Sequence, residues 1–339
     1  MARKPHKEEN GMNGSGKNDK KARVSRLRQA MPVIMLVVMV LVLSLFNDAF
    51  LSINSLKSIM LQASAIGVLS LGAMVAIISG GTDFTIGYGV AAIAIVGAYG
   101  YGLPGAGKES VLLYFVFSLG AGLLLGLMNG FIIAKLHVQP FITTLATMSI
   151  CQGVTLAVNN GATVYLKHPV LVTIGQKYLA GIIPYSFFIL VAMAILTHIL
   201  MTRTRFGMYT YAIGGNEDSA RYMGINVARS KMLVYIFTGM CTAVGSILTA
   251  SKIAMATPGM SGSLLMDSIA ATVIGGTSMA GGKGKVLNTM VGVLVIIVIS
   301  MSLTYMNVQT EMQKVFQGGI ILLAVVLDAY FGKLEREIH

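Results

Sequence analysis

Between Ala30 and Phe331 the chain carries ten apolar runs, most of them long enough to cross a lipid bilayer. A helical span needs about 20 apolar residues, because in hydrocarbon the backbone must satisfy its own hydrogen bonds. The expected spans are about 30–46, 58–79, 86–102, 111–134 and 141–158, then 185–201, 231–251, 264–278, 286–307 and 314–331. The third and eighth are short and glycine-interrupted. Composition agrees: 55% of residues are hydrophobic and 11% charged, against about 25% charged in soluble domains. The fold class is an all-α integral membrane protein of about ten transmembrane helices, some short or broken, in two pseudo-repeated halves.

The net charge of +12 does not indicate a nucleic-acid partner, because much of it sits in one tail. Met1 to Gln29 holds nine Lys/Arg and three Asp/Glu, which reads as a disordered basic arm against anionic lipid headgroups. Its 29 residues are too long for the n-region of a signal peptide, and no A-x-A site follows, so 30–46 reads as the first span. Three domains follow: a tail over 1–29, a permease domain over 30–331 and a short cytoplasmic tail over 332–339. With the N-terminus inside, the inner segments hold nineteen Lys/Arg and the outer ones six. This obeys the positive-inside rule and puts both termini in the cytoplasm of a multi-pass inner-membrane protein. The outer connection 159–184 contains an apolar-periodic piece that fits a helix lying on the outer face.

Catalytic and metal motifs are absent. Cys151 and Cys241 fall inside spans as small packing residues, and the five histidines lack ligand spacing. "MAGGKGK" fails as a phosphate loop, since Thr277 and Met279 stand where the first glycine belongs and no Ser or Thr follows either lysine. The chain therefore reads as a non-enzyme that binds no cofactor; any ATP and Mg²⁺ belong to a partner.

Two regions carry candidate function. Within the membrane, Asp83 sits in "GGTDFTIG" beside Thr82 and Phe84. Intramembrane carboxylates normally face a cavity or a partner, so Asp83 is either part of a solute path or its gate, or the cap of the following helix. Asn129, Thr143 and Thr147 are further polar candidates, with Thr143 and Thr147 on one helix face. Asp267 is either on the path or an N-terminal cap. Gly122, Gly126 and Gly130 form a ridge for close helix packing. "IISGGTDFTIGYGV" and "VIGGTSMAGGKGKV" echo each other, as paired glycine-broken segments of transporters do. The second region is the polar loop 202–230. Asn216 fits an N-cap, Glu217 and Asp218 the first turn and Gly224 the stop of a short helix over 217–223, with Arg203 and Arg205 anchoring its approach.

These residues resemble a known family. "RTRFG" followed by "AIGGNEDSARYMGIN" (203–226) is similar to the cytoplasmic signature of the sugar-transporting ABC permeases of the ribose, galactose and xylose importers. "GGTDFTIG", "PFITTLATM" (140–148) and "DSIAATVIGGTSMAGGKG" (267–284) resemble three further signatures in the same order. The resemblance implies the transmembrane subunit of an ATP-driven importer that moves a monosaccharide by alternating access. It implies a second permease subunit, ABC ATPase subunits and a periplasmic or lipid-anchored sugar-binding protein as partners. It also implies that the loop helix, with Gly215 and Ala220, is the coupling helix seated in the ATPase. Leu265-Met266-Asp267 departs from the acidic-Leu-Asp often found there, and Phe84-Thr85 from Leu-Ser. Other readings are the same ABC class with a nucleoside, branched-chain amino acid or furanone cargo, a stand-alone secondary transporter, or a membrane scaffold.

Overall fold

The computed structural model describes residues 32–41, 44, 48–102, 110–158 and 160–337. The basic tail 1–29 lies outside the described residues. A helix occupies each expected span: α1 (Pro32–Leu41), α2 (Ile53–Ile78), α3 (Ile86–Tyr101), α4 (Val111–Lys135) and α5 (Pro140–Ala157), then α7 (Tyr185–Arg203), α10 (Val227–Ile253), α11 (Leu264–Ile274), α12 (Val286–Tyr305) and α13 (Thr310–Glu337). Six of these, α2, α4, α5, α7, α10 and α12, are long and apolar enough to cross a membrane. At 1.5 Å per residue the 11-residue α11 is about 16 Å long, roughly half a hydrocarbon core of about 30 Å. Helix α13 runs unbroken through the expected domain boundary at 331.

Burial sorts the spans into centre and rim. The apolar window of α2 is 89% buried, against 22% for α4, so α2 is the axle of the bundle. Its side chains pack against Leu190 of α7, Leu248 of α10, Ala271 of α11 and Ile296 of α12. A second core joins Ile95 of α3, Tyr114 of α4 and Ile247 of α10 to Leu171 of α6 (Pro169–Gln176). The helix expected on the outer connection is this α6, which begins on Pro169 after His168, whose Nδ1 accepts the Val170 N–H at 3.2 Å. Two minimal antiparallel ribbons lie at the same end: β1 (Val164–Tyr165) with β4 (Met255–Ala256), and β2 (Tyr178–Leu179) with β3 (Ile183–Pro184).

The glycine ridge of α4 packs directly on α10. A Cβ at Gly126 would lie 2.5 Å from the Tyr235 carbonyl oxygen and 2.8 Å from Ile236 Cα, and one at Gly122 would lie 2.6 Å from the Gly239 carbonyl oxygen. Backbones this close gain packing that larger side chains forbid.

The two echoing segments share a way of stopping a helix. After α2, Gly80 has φ +82°, the Gly81 N–H donates to the Ala76 carbonyl and the Gly80 N–H to Ile77. After α11, Gly276 has φ +81°, the Thr277 N–H donates to Thr272 and the Gly276 N–H to Val273. Both are left-handed glycine stops that satisfy the last carbonyls. Beyond them the segments diverge: one re-enters a helix at Ile86, the other runs as a loop to Val286.

Close packing makes a testable contrast. Gly126→Val should destabilise the detergent-solubilised protein by about 1–3 kcal/mol through overpacking. Gly120→Val, on the same helix with nothing within 4 Å, should leave its thermal unfolding midpoint unchanged.

Candidate functional site

A buried polar chain crosses the bundle at the break between α2 and α3. The Asp83 carboxylate accepts the Thr85 N–H on Oδ1 at 2.9 Å and the Thr238 hydroxyl on Oδ2 at 2.6 Å. Thr85 Oγ1 accepts from Asn129 Nδ2 at 2.7 Å, and Asn129 Oδ1 accepts from the Thr147 hydroxyl at 2.6 Å. The chain thus ties α10, the break, α4 and α5, and each of its five residues is at most 4% exposed. The N-cap of α3 is Thr85 rather than Asp83, which instead braces that residue from outside the helix, and both carboxylate oxygens have partners. The Thr144 hydroxyl lies 3.3 Å from the Thr82 carbonyl, and Phe84 meets Phe141 edge-on at 5.3 Å. The Thr143 hydroxyl donates back to Gln139 at 3.2 Å. Thr82, Asp83, Phe84, Asn129, Thr143 and Thr147 therefore gather around one break.

Sequence reasoning missed Thr85 and Thr238. The available signal was a hydroxyl stripe at i, i+4, i+8 on α10, Thr238, Thr242 and Ser246, all buried. That stripe faces α3, where the Ser246 hydroxyl donates to the Val90 carbonyl at 2.6 Å.

Asp267 lies elsewhere. It is the fourth residue of α11 rather than its cap; its Oδ2 accepts from the hydroxyl of the N-cap residue Ser263 at 2.6 Å. Asp267 lines a cavity of about 380 Å³ between α2, α11, α12 and α13.

The loop 202–230 folds as two helices, α8 (Arg205–Gly215) and α9 (Glu217–Tyr222). Asn216 Oδ1 accepts the Ser219 N–H at 2.8 Å, as an N-cap should. The stop is a full left-handed motif: the Gly224 N–H donates to Arg221 and the Ile225 N–H to Ala220, with Gly224 at φ +81°. Ala220 is buried, in a cluster with Ile213 and Val227, so it holds the hairpin together. Glu217 is also engaged within the chain, by Arg221 at 3.2 Å and Lys231 at 2.6 Å. Partial burial raises its pKa, but the Lys231 bond and the two cations outweigh this and hold the carboxyl below the usual range. Arg203, Arg205, Gly215, Asn216 and Asp218 are exposed. So are Tyr222, at 92%, and Met223, at 69%, an apolar pair not anticipated from the sequence.

Three Gly-Gly pairs connect this hairpin to the break. Gly214 of α8 packs against Ile78 at the end of α2, and a Cβ there would overlap the Ile78 carbonyl and lie 2.7 Å from Gly282 N. The Gly282 N–H donates to the same Ile78 carbonyl at 2.9 Å. The Tyr211 hydroxyl donates to the Gly284 carbonyl at 2.8 Å. Helix α8 thus packs on the end of α2, five residues before Asp83.

Comparison with known proteins adds the family context. Residues 55–325 match the protein family described as branched-chain amino acid transport system / permease component. The ribose import permease protein of Bacillus subtilis (strain 168) is 34% identical over 299 residues, covering 88% of this chain and 91% of that protein. The galactose/methyl galactoside import permease protein of Salmonella typhimurium is 32% identical over 331 residues, 92% and 97% of the two chains. The ribose import permease protein of Haemophilus influenzae is 31% identical over 303 residues, 88% and 92%. No solved structure matches the chain.

Two outcomes test the site's energetics. Thr238→Val leaves Asp83 Oδ2 without its donor and should cost about 1–3 kcal/mol of stability. Thr249→Val, whose hydroxyl bonds its own helix at Gly245, should cost less in the same denaturation assay. The Glu217 carboxyl has a lowered folded pKa, so its contribution is complete above the ordinary carboxylate pKa and is lost as pH falls through the lowered value. Hydrogen exchange of 217–223 should accelerate only in that acidic window, and Glu217→Gln should abolish the pH step.

Proposed function

The chain belongs to the branched-chain amino acid transport system / permease component family, and from that premise we propose that it is the transmembrane subunit of an ATP-driven ABC importer for a monosaccharide. The observation that carries the cargo is the 31–34% identity, over about nine-tenths of the chain, to relatives named for ribose and galactose import. On this reading the protein spans the inner membrane with ten helices. Both termini and the α8–α9 hairpin lie in the cytoplasm, with 1–29 as a basic tail, 30–331 as the permease domain and 332–339 as a short tail.

ATP and its Mg²⁺ are bound by a separate ATPase subunit, and a solute-binding protein delivers the sugar outside. A second permease subunit completes the membrane pathway. The chain's own part is mechanical. The ATPase grips α9 and its C-cap, where Tyr222 and Met223 offer an exposed apolar handle beside the exposed Asp218 and Arg221 of the same helix. Movement passes through the Gly214–Ile78–Gly282 contact to the break at Asp83. There, alternating access requires α10 to slide against α3 and α4, exchanging the Thr238–Asp83 bond. A charge-assisted bond of this kind is strong enough to hold one state and local enough to be traded for another. Thr82, Phe84, Asn129 and Thr143/Thr147 surround the element that moves.

The family description favours a second cargo, a branched-chain amino acid. Uptake of radiolabelled ribose, galactose and leucine by cells carrying the permease with its ATPase and binding protein decides between them; leucine uptake without sugar uptake rejects the sugar reading. Tyr222→Ala combined with Met223→Ala should abolish co-purification with the ATPase and reduce sugar uptake at least tenfold, a loss of about 1.4 kcal/mol or more. The permease itself should keep its thermal midpoint. Unchanged co-purification would remove α9 from the coupling role.

A further inference from the structure

The cavity beside Asp267 has no part in the mechanism above, yet its construction is that of a site. About 380 Å³ is near the lower end of the range for small-molecule pockets, about 300–1,000 Å³. Nine of its twelve lining residues carry hydrogen-bonding side chains, among them Gln62, Ser300, Thr304 and Gln317; one is a carboxylate, and none is Lys or Arg. Asp267 is 5% exposed, and while Ser263 fixes Oδ2, Oδ1 has no hydrogen-bond partner among the described residues. A buried charged acceptor without a donor is costly, more than the about 1–3 kcal/mol of a neutral group. The Asp267 carboxylate, which lines the cavity, is thus only half satisfied within the protein.

The place of the cavity is as informative as its lining. Its walls are the N-terminal halves of α2 (Ser58, Gln62), α11 and α13 and the C-terminal half of α12 (Ser300, Thr304). The α8–α9 hairpin contacts the opposite end of α2, at Ile78, 16 residues beyond Gln62 and about 24 Å away along the helix. The cavity thus lies at the end remote from the hairpin, the end that bears α6 and the two ribbons. On the orientation proposed above, this is the outer face.

We infer that this cavity is an acceptor site for a neutral, polyhydroxylated solute of monosaccharide size, with the Asp267 carboxylate accepting a solute hydroxyl. The inference rests on the import reading and extends it to a first station for the solute on the membrane subunit. The lining selects the class. A sugar phosphate or an amino acid would place an anionic group beside a carboxylate with no cation to receive it. A quaternary ammonium ion would find one aromatic ring, Tyr305, rather than a cage. Uncharged amides and hydroxyls, which both donate and accept, match a ring of hydroxyl groups. Ser300 and Gln317 already bond each other at 3.2 Å, and Thr304 and Gln313 at 3.5 Å, long contacts that a solute can replace at little cost.

The test uses the full-length chain in lipid nanodiscs with Ser300→Cys as reporter. The native thiols, Cys151 and Cys241, are buried, so a charged methanethiosulfonate reads the cavity. Millimolar D-ribose or D-galactose should slow labelling, whereas ribose 5-phosphate, leucine and choline should not. Adding Asp267→Asn should raise the protecting sugar concentration about tenfold, as for loss of a charged acceptor, with the sugar-free labelling rate unchanged. If that variant does not fold, Gln317→Leu should weaken protection in the same direction. Absence of protection by either sugar, equal protection in the variants, or protection by leucine or choline would each overturn the site. Continued sugar uptake by the complete importer alongside such a result would sink the acceptor site alone; loss of sugar uptake altogether would sink the import reading with it.

Discussion

Hydrocarbon offers no water to an unpaired backbone or carboxylate, and the break between α2 and α3 is where this protein has to meet that constraint. The polar groups of the break have partners on both sides. The Ile78 carbonyl at the end of α2 accepts from Gly282, and the Thr85 amide at the α3 entry is met by Asp83. Asp83 in turn needs Thr238, and Thr85 needs Asn129, which needs Thr147. Because each group satisfies the next, the break fixes the relative positions of α3, α4, α5 and α10.

That arrangement gives the molecule two working ends on one axle. Helix α2 is continuous for 26 residues and buried without interruption from Ala63 to Ile78. At one end it meets the α8–α9 hairpin through glycine contacts too close for any side chain. At the other its N-terminal half walls a polar cavity. One continuous helix thus joins the α8–α9 hairpin to the polar cavity.

Much of this was legible from residues alone. The caps at Asn216 and Gly224 located a six-residue helix to within one residue, because capping is local chemistry. The glycine ridge of α4 announced its own close contact. Local reasoning reached its limit with partners far along the chain: Asp83 and Thr238 are 155 residues apart, and nothing near either names the other. Glu217 and Ala220 were placed in the coupling helix by resemblance, which says nothing of where each side chain points. The tertiary fold turns the first to Lys231 and buries the second, leaving Tyr222 and Met223 as the surface.

Hydropathy and the length of the apolar runs by themselves determined a helical membrane protein and the placement of its spans, since a bilayer admits almost no other solution for such runs. Glycine stops and caps are likewise written in a few adjacent residues. Only the tertiary structure decided which helix is the axle, which polar groups share a network and where a cavity is left over. Those outcomes depend on side chains meeting across the bundle, and the energy of a buried hydroxyl or carboxylate is set by whichever distant group it reaches.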